Sequence, residues 1–205
     1  MKENKKAKKV VALLLCAVLL VVGSVTGTMA YLTSQDTVTN TFTVGNVEIT
    51  LDETDVDLYG VKDSETRVDK NTYKLIPGHT YVKDPVIHVA SGSEACYLFV
   101  KVENGISGIE GASTIASQMT ANGWVNITGT DVYKKEAVID ARNEAKNVAI
   151  FETFTIANAA DVNLTDTDND GTIDAQITIT AYAIQADGFT NVDAAWAAAP
   201  AAWKS

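Results

Sequence analysis

Beyond residue 40, apolar and polar positions alternate with a period of two through stretches rich in Val, Ile, Thr, Tyr and Phe, a pattern that predicts half-buried β-strands. In TFTVGNVEITL, the residues Phe42, Val44, Val47, Ile49 and Leu51 share one strand face if a bulge at Gly45-Asn46 absorbs one extra residue. Asp52 to Asn71 is charged and without a clear period, so it reads as a loop. Tyr81 to Val89 and Ala95 to Val102 read as two strands joined at SGSE. Pro77-Gly78 turns into the first, and Pro85 favours an edge position or a bulge. Between Ser113 and Ala121 the spacing changes to that of a short amphipathic helix carrying Ile115 and Met119, ended by Asn122-Gly123. A strand pair follows, WVNIT and DVYKKEAV, flanking Gly129-Thr130.

The longest strands are expected at Val148 to Ala157 and at Thr172 to Ala186, the second with Ile173, Ala175, Ile177, Ile179, Ala181 and Ala183 on one face. Trp196 and Trp203 stand seven residues apart in an alanine-rich tail, a spacing that brings both indoles to one side of a helical lid despite Pro200. About eight strands without an internal repeat predict an all-β chain with short helices. The expected architecture is a jelly-roll-like antiparallel β-sandwich, one domain over residues 31–205.

The N-terminus follows a different logic. Five lysines stand among the first nine residues, and Val10 to Val22 is an unbroken apolar run of thirteen. A membrane span needs roughly twenty apolar residues, and this run ends in Gly23, Ser24 and Thr26. A cleavable signal peptide over residues 1–30 is therefore favoured over an anchor, with cleavage expected between Ala30 and Tyr31 after the small residues Thr28 and Ala30. Cys16, inside the run and after Leu15, lacks the setting of a lipid-modified cysteine. Removal of the first thirty residues leaves 11 basic and 25 acidic side chains, a net charge of −14. That charge excludes nucleic acid as a partner and leaves membrane contact to the export step. Cys96 is then the single cysteine, so no internal disulfide can form.

The order of these features is specific. GTMAYLTSQDTVTNTFTVGNVEITLDE resembles the start of the SipW-dependent secreted proteins, the camelysin/TasA family, and LIPGHTYVKDPVIHV and ITAYAIQADGFTNVDAAW are similar to segments of its clostridial members. The resemblance implies a Gram-positive exported protein processed by a dedicated signal peptidase, a jelly-roll sandwich, and a role in extracellular fibres of a biofilm matrix or at the cell surface. Its implied partners are further copies of itself or related matrix proteins. Some members carry a metalloendopeptidase label. This chain has no HExxH-type motif, and its two histidines, His79 and His88, fall nine positions apart with Pro85 between them. A non-enzymatic role is expected.

Candidate chemistry is sparse. DTDNDGTID places Asp166, Asp168, Asp170 and Asp174 at positions 1, 3, 5 and 9 of a calcium-type loop, with Gly171 at 6, but position 12 is Ile177 instead of a bidentate glutamate. A solvated hairpin loop is the competing interpretation, and a calcium-dependent adhesin would need the loop occupied. Cys96 alternates with Leu98, Val100 and Val102, as a buried thiol would. Asp55 and Asp57 read as solvated loop charge. The spacer from Tyr31 to Thr41 is Thr-rich, free of Pro and Gly, and β-competent. It is expected either to be an unstructured new N-terminus or to complete a neighbour's sheet by strand addition.

Overall fold

In the computed structural model, residues 33–37, 40–43, 47–158 and 175–204 are described. The signal-peptide segment and the Asp166–Asp174 loop lie outside them. The strands are β1 (Thr33–Thr37), β2 (Asn40–Thr43), β3 (Ile49–Val56), β4 (Lys62–Val68), β5 (Thr80–Val82), β6 (Val86–Val89) and β7 (Cys96–Asn104). Helix α1 (Ile115–Ala121) precedes β8 (Trp124–Asn126), β9 (Val132–Lys135), β10 (Lys146–Ala149), β11 (Thr153–Thr155) and β12 (Ile177–Gln185), and α2 (Val192–Ala198) follows, with a 3-10 turn at Ala201–Trp203.

The strands form a six-stranded sheet in the order β2-β1-β12-β7-β9-β8, a four-stranded sheet in the order β10-β6-β3-β4, and the pair β11-β5. The fold is mainly β, with antiparallel pairing throughout these ladders. Period two sends alternate side chains inward. Val47, Ile49 and Leu51 lead into and along β3 and join Ile87 and Val89 of β6. They meet Cys96, Leu98, Val100 and Val102 of β7 and Ile179, Ala181 and Ala183 of β12 in one buried core.

β7 is buried on its other face as well. Tyr97 and Phe99 join Tyr182 and Ile184 against Val192, Ala195, Ala199 and Trp203. Phe99 and Trp196 pack with their rings tilted by 37° at 5.3 Å between centroids, and Tyr182 and Trp203 do so with a tilt of 35° at the same distance. Lys134 Nζ binds Asp193 at 2.5 Å and ties α2 to β9. Pro200 ends the helical rise, yet the 3-10 turn behind it still delivers Trp203 to the sheet. The tail is the lid its spacing predicts.

Three expectations are corrected. Phe42 to Leu51 is not one bulged strand: β2 belongs to the six-stranded sheet and β3 to the four-stranded one, so the chain crosses between layers there. The charged stretch after Asp52 is largely strand, because β3 runs on to Val56 and β4 pairs with it antiparallel. β4 is an edge whose side chains are mostly polar, which removes the alternation that would reveal it. Its turn rests on Asp57, whose Oδ1 accepts from Tyr59 N and Val61 N at 2.9 Å each, and on Gly60 at φ 72°. Lastly, neither Val148 to Ala157 nor Tyr81 to Val89 is one strand: each is two short ones, in different sheets. β10 pairs with β6 and β11 with β5, and both partners break at the same place, Lys83 to Pro85 facing Ile150 to Glu152. Pro85 has no N–H to continue the ladder. Its carbonyl accepts from Ile150 N at 3.0 Å, and Lys83 N donates to Glu152 O at 3.1 Å.

Candidate functional site

The spacer expected to be an unstructured N-terminus or a strand for a neighbour's sheet is neither in its described residues: it pairs within the chain's own sheet. β1 pairs along its whole length with β12, from Thr33 opposite Ile184 to Thr37 opposite Thr180. β2 folds back on β1 and forms the outer edge. Backbone pairing of this kind is indifferent to which copy supplies the strand.

On the four-stranded sheet, β10 is the other edge of interest. A groove of about 600 Å³ lies beside it, lined by Val138, Ile139 and Val148 with Asp140, Glu144 and Lys146 around them. Arg142 holds the Asp140 carboxyl down at about 2 through side-chain and backbone hydrogen bonds.

The histidines do not meet. His79 Nε2 donates to Tyr59 O at 2.8 Å at one end of the sandwich, whereas His88 lies on the outer face of the four-stranded sheet between Asn147 Oδ1 and Asp52 Oδ1, at 2.7 and 2.8 Å. Among the described residues no group of three or more His, Cys, Asp or Glu side chains is arranged to hold a metal ion. Cys96 is fully buried, and desolvation pushes its thiol up to about 12. Asp57 is used in its turn, as described above.

The densest constellation was not visible as a site in the sequence. Its outer part crosses the sheet: Arg67 of β4 binds Asp52 through Nε and Asp84 through Nη1 at 3.3 Å. Asp84 in turn accepts from Thr54 N and Thr54 Oγ1, each at 2.7 Å. The inner part is buried. Ile49, Leu51 and Glu53 occupy successive inward positions on β3, so the register that builds the core also delivers a carboxylate into it.

Glu53, only 4% exposed, faces Lys83, 8% exposed, and Lys83 Nζ lies 2.5 Å from Glu53 Oε2. Lys83 stands two residues beyond the buried Tyr81, at the break between β5 and β6, and keeps its inward phase. Glu53 Oε1 accepts from Asn71 Nδ2 at 2.9 Å, Nδ2 also donates to Thr54 O at 2.8 Å, and Asn71 Oδ1 accepts from Val56 N at 3.0 Å.

Aromatic rings close this pocket. Tyr73 lies under Lys83 Nζ, 6.0 Å from its centroid, and packs edge-on against Phe154 at 5.0 Å and Tyr81 at 5.7 Å. Burial, then the charges of Glu53 and Asp84, raise the Tyr73 phenol well above its ordinary value, so it stays neutral and donates to Val82 O at 3.1 Å. Buried charge is costly unless paired and hydrogen-bonded, and here every buried side-chain polar atom among the described residues has a partner. The sequence signal that could have found the site is Glu53 itself, a charge two residues beyond Leu51 on an inward face.

No family model, no curated protein and no solved structure matches the chain.

Proposed function

We propose that the chain is an exported structural protein of an extracellular matrix or cell surface, whose copies associate by exchange of the N-terminal strand. Support comes from the placement of β1: five consecutive residues of the Thr-rich spacer pair with β12, at the end of the chain segment expected to be freed by signal-peptide cleavage. The strand stands next to the edge strand β2 of the six-stranded sheet. Another copy's β1 offers the same backbone donors and acceptors. The open groove beside β10 leaves the second sheet with an approachable edge. The similarity of the N-terminal sequence to the camelysin/TasA proteins points the same way.

The test is negative-stain microscopy with sedimentation of purified protein beginning at Tyr31, in calcium and in chelator. Fibres or sedimenting polymers are expected. A strict monomer in both buffers overturns the proposal and moves attention to a ligand-binding module, and polymers only in calcium bring Asp166, Asp168, Asp170 and Asp174 into the mechanism.

A further inference from the structure

The Glu53–Lys83–Asn71 constellation holds a primary amine and a carboxamide on the two oxygens of one buried carboxylate. An ion pair needs no amide beside it, and an amide serving only as a backbone cap needs no amine. From the three together we propose that this is an autocatalytic cross-linking site, at which Lys83 Nζ and Asn71 Cγ join in an intramolecular amide bond.

The chemistry balances without a co-reactant. Across their contact the Lys83 ammonium passes a proton to Glu53, and the neutral Nζ attacks Asn71 Cγ. The negative charge that develops on Oδ1 faces the Val56 N–H, which already lies 3.0 Å away in the ground state and so acts as an oxyanion donor. The tetrahedral adduct loses Nδ2, which departs with the proton given up by Nζ and the one held by Glu53. The products are one amide, one ammonium ion and the Glu53 carboxylate restored. Nδ2, the leaving nitrogen, is the atom that faces Glu53 Oε1, so proton acceptor and proton donor are the same side chain.

Two further features fit this use. The base and the nucleophile are shielded from solvent: Glu53 and Lys83 are buried and the Tyr73 ring lies against Lys83 Nζ, with Asn71 half-buried beside them. The amide is held at both ends by backbone groups of β3, Val56 N and Thr54 O, while the carboxylate of Glu53 carries the amine on one oxygen and the amide on the other. The product would pin the segment after β4 to the break between β5 and β6, in a fold whose Cys96 is a free thiol. The inference does not depend on polymer formation.

The experiment is intact-mass spectrometry of the purified, denatured protein, followed by tryptic mapping. The wild-type mass is expected to fall short of the sequence mass by one ammonia. The peptide beginning at Asn71 should then appear as a branch on the peptide that contains Lys83, with cleavage after Lys83 blocked. Lys83→Arg keeps a cation beside Glu53 but lacks the nucleophile, and Glu53→Gln keeps the shape but lacks the base. Both are expected to retain the full mass while circular dichroism shows the native fold. A wild-type protein of full sequence mass overturns the proposal. So does an ammonia loss that persists in Lys83→Arg, since a succinimide at Asn71 loses the same mass without Lys83.

Discussion

Position 53 of β3 faces the interior, as Ile49 and Leu51 do, and carries a carboxylate where the pattern calls for an apolar side chain. Removing one member of a buried pair leaves the other charge without compensation, which costs about 3–5 kcal/mol, whereas replacing both by apolar groups is often near neutral. In the Lys83→Arg background, where no amide can form, Glu53→Ala is therefore expected to lower the denaturant midpoint far more than replacing the pair by Glu53→Leu with Lys83→Met; equal losses would mean that the pair is not buried as a unit.

Cys96 was legible from its alternation with Leu98 and Val100. With its thiol pushed up to about 12 by burial, it is protonated at neutral pH. It should resist thiol reagents until the protein is unfolded, and rapid labelling of the native state would contradict the burial.

Asp140 is held down at about 2 by Arg142. A depressed carboxylate stabilises the fold above its ordinary range, and that contribution is lost as pH falls through about 2. NMR titration should find Asp140 still ionised at pH 3, with Arg142→Gln moving its midpoint upward.

Elements were legible where one face was buried and the other wet. α1 follows its apolar spacing, with Thr114 accepting from Ser117 N as the N-cap and Gly123 at φ 76° behind it. β4 was not legible, because an edge strand held by backbone bonds needs no apolar face. Its turn gives a test at this scale. Gly60 and Gly92 both have positive φ, but a Cβ on Gly60 would lie 2.8 Å from Tyr81 Cα, whereas one on Gly92 meets nothing within 4 Å. Gly92→Ala should cost about 1 kcal/mol of backbone strain and Gly60→Ala clearly more. Matching melting temperatures would remove the steric argument.

The lid is testable in the same way. Trp203, 4% exposed, plugs the outer face of the six-stranded sheet, and Trp203→Ala is expected to cost about 3–5 kcal/mol in denaturant unfolding. A loss below about 1 kcal/mol would mean that the lid is not docked.

At the scale of the whole molecule, the proposed exchange concerns the N-terminal hairpin of β1 and β2. Deleting residues 31–41 removes β1 and leaves the edge of β12 unpaired. Sedimenting polymers should disappear while circular dichroism stays β-rich, and undiminished polymers would sink strand exchange. By itself the sequence determined that the chain is mainly β with a short amphipathic helix and an aromatic lid, and that Cys96 is buried, because each of these follows from local periodicity. Only the tertiary structure decided that Phe42 and Ile49 serve different sheets, that the ladder breaks at Pro85, and that Glu53, Asn71 and Lys83 converge. Period two tells a side chain which way to face, but not which sheet it joins. The meeting of three residues from separate segments depends on strand order and on one shared break in pairing, and neither is written in any local window of the chain.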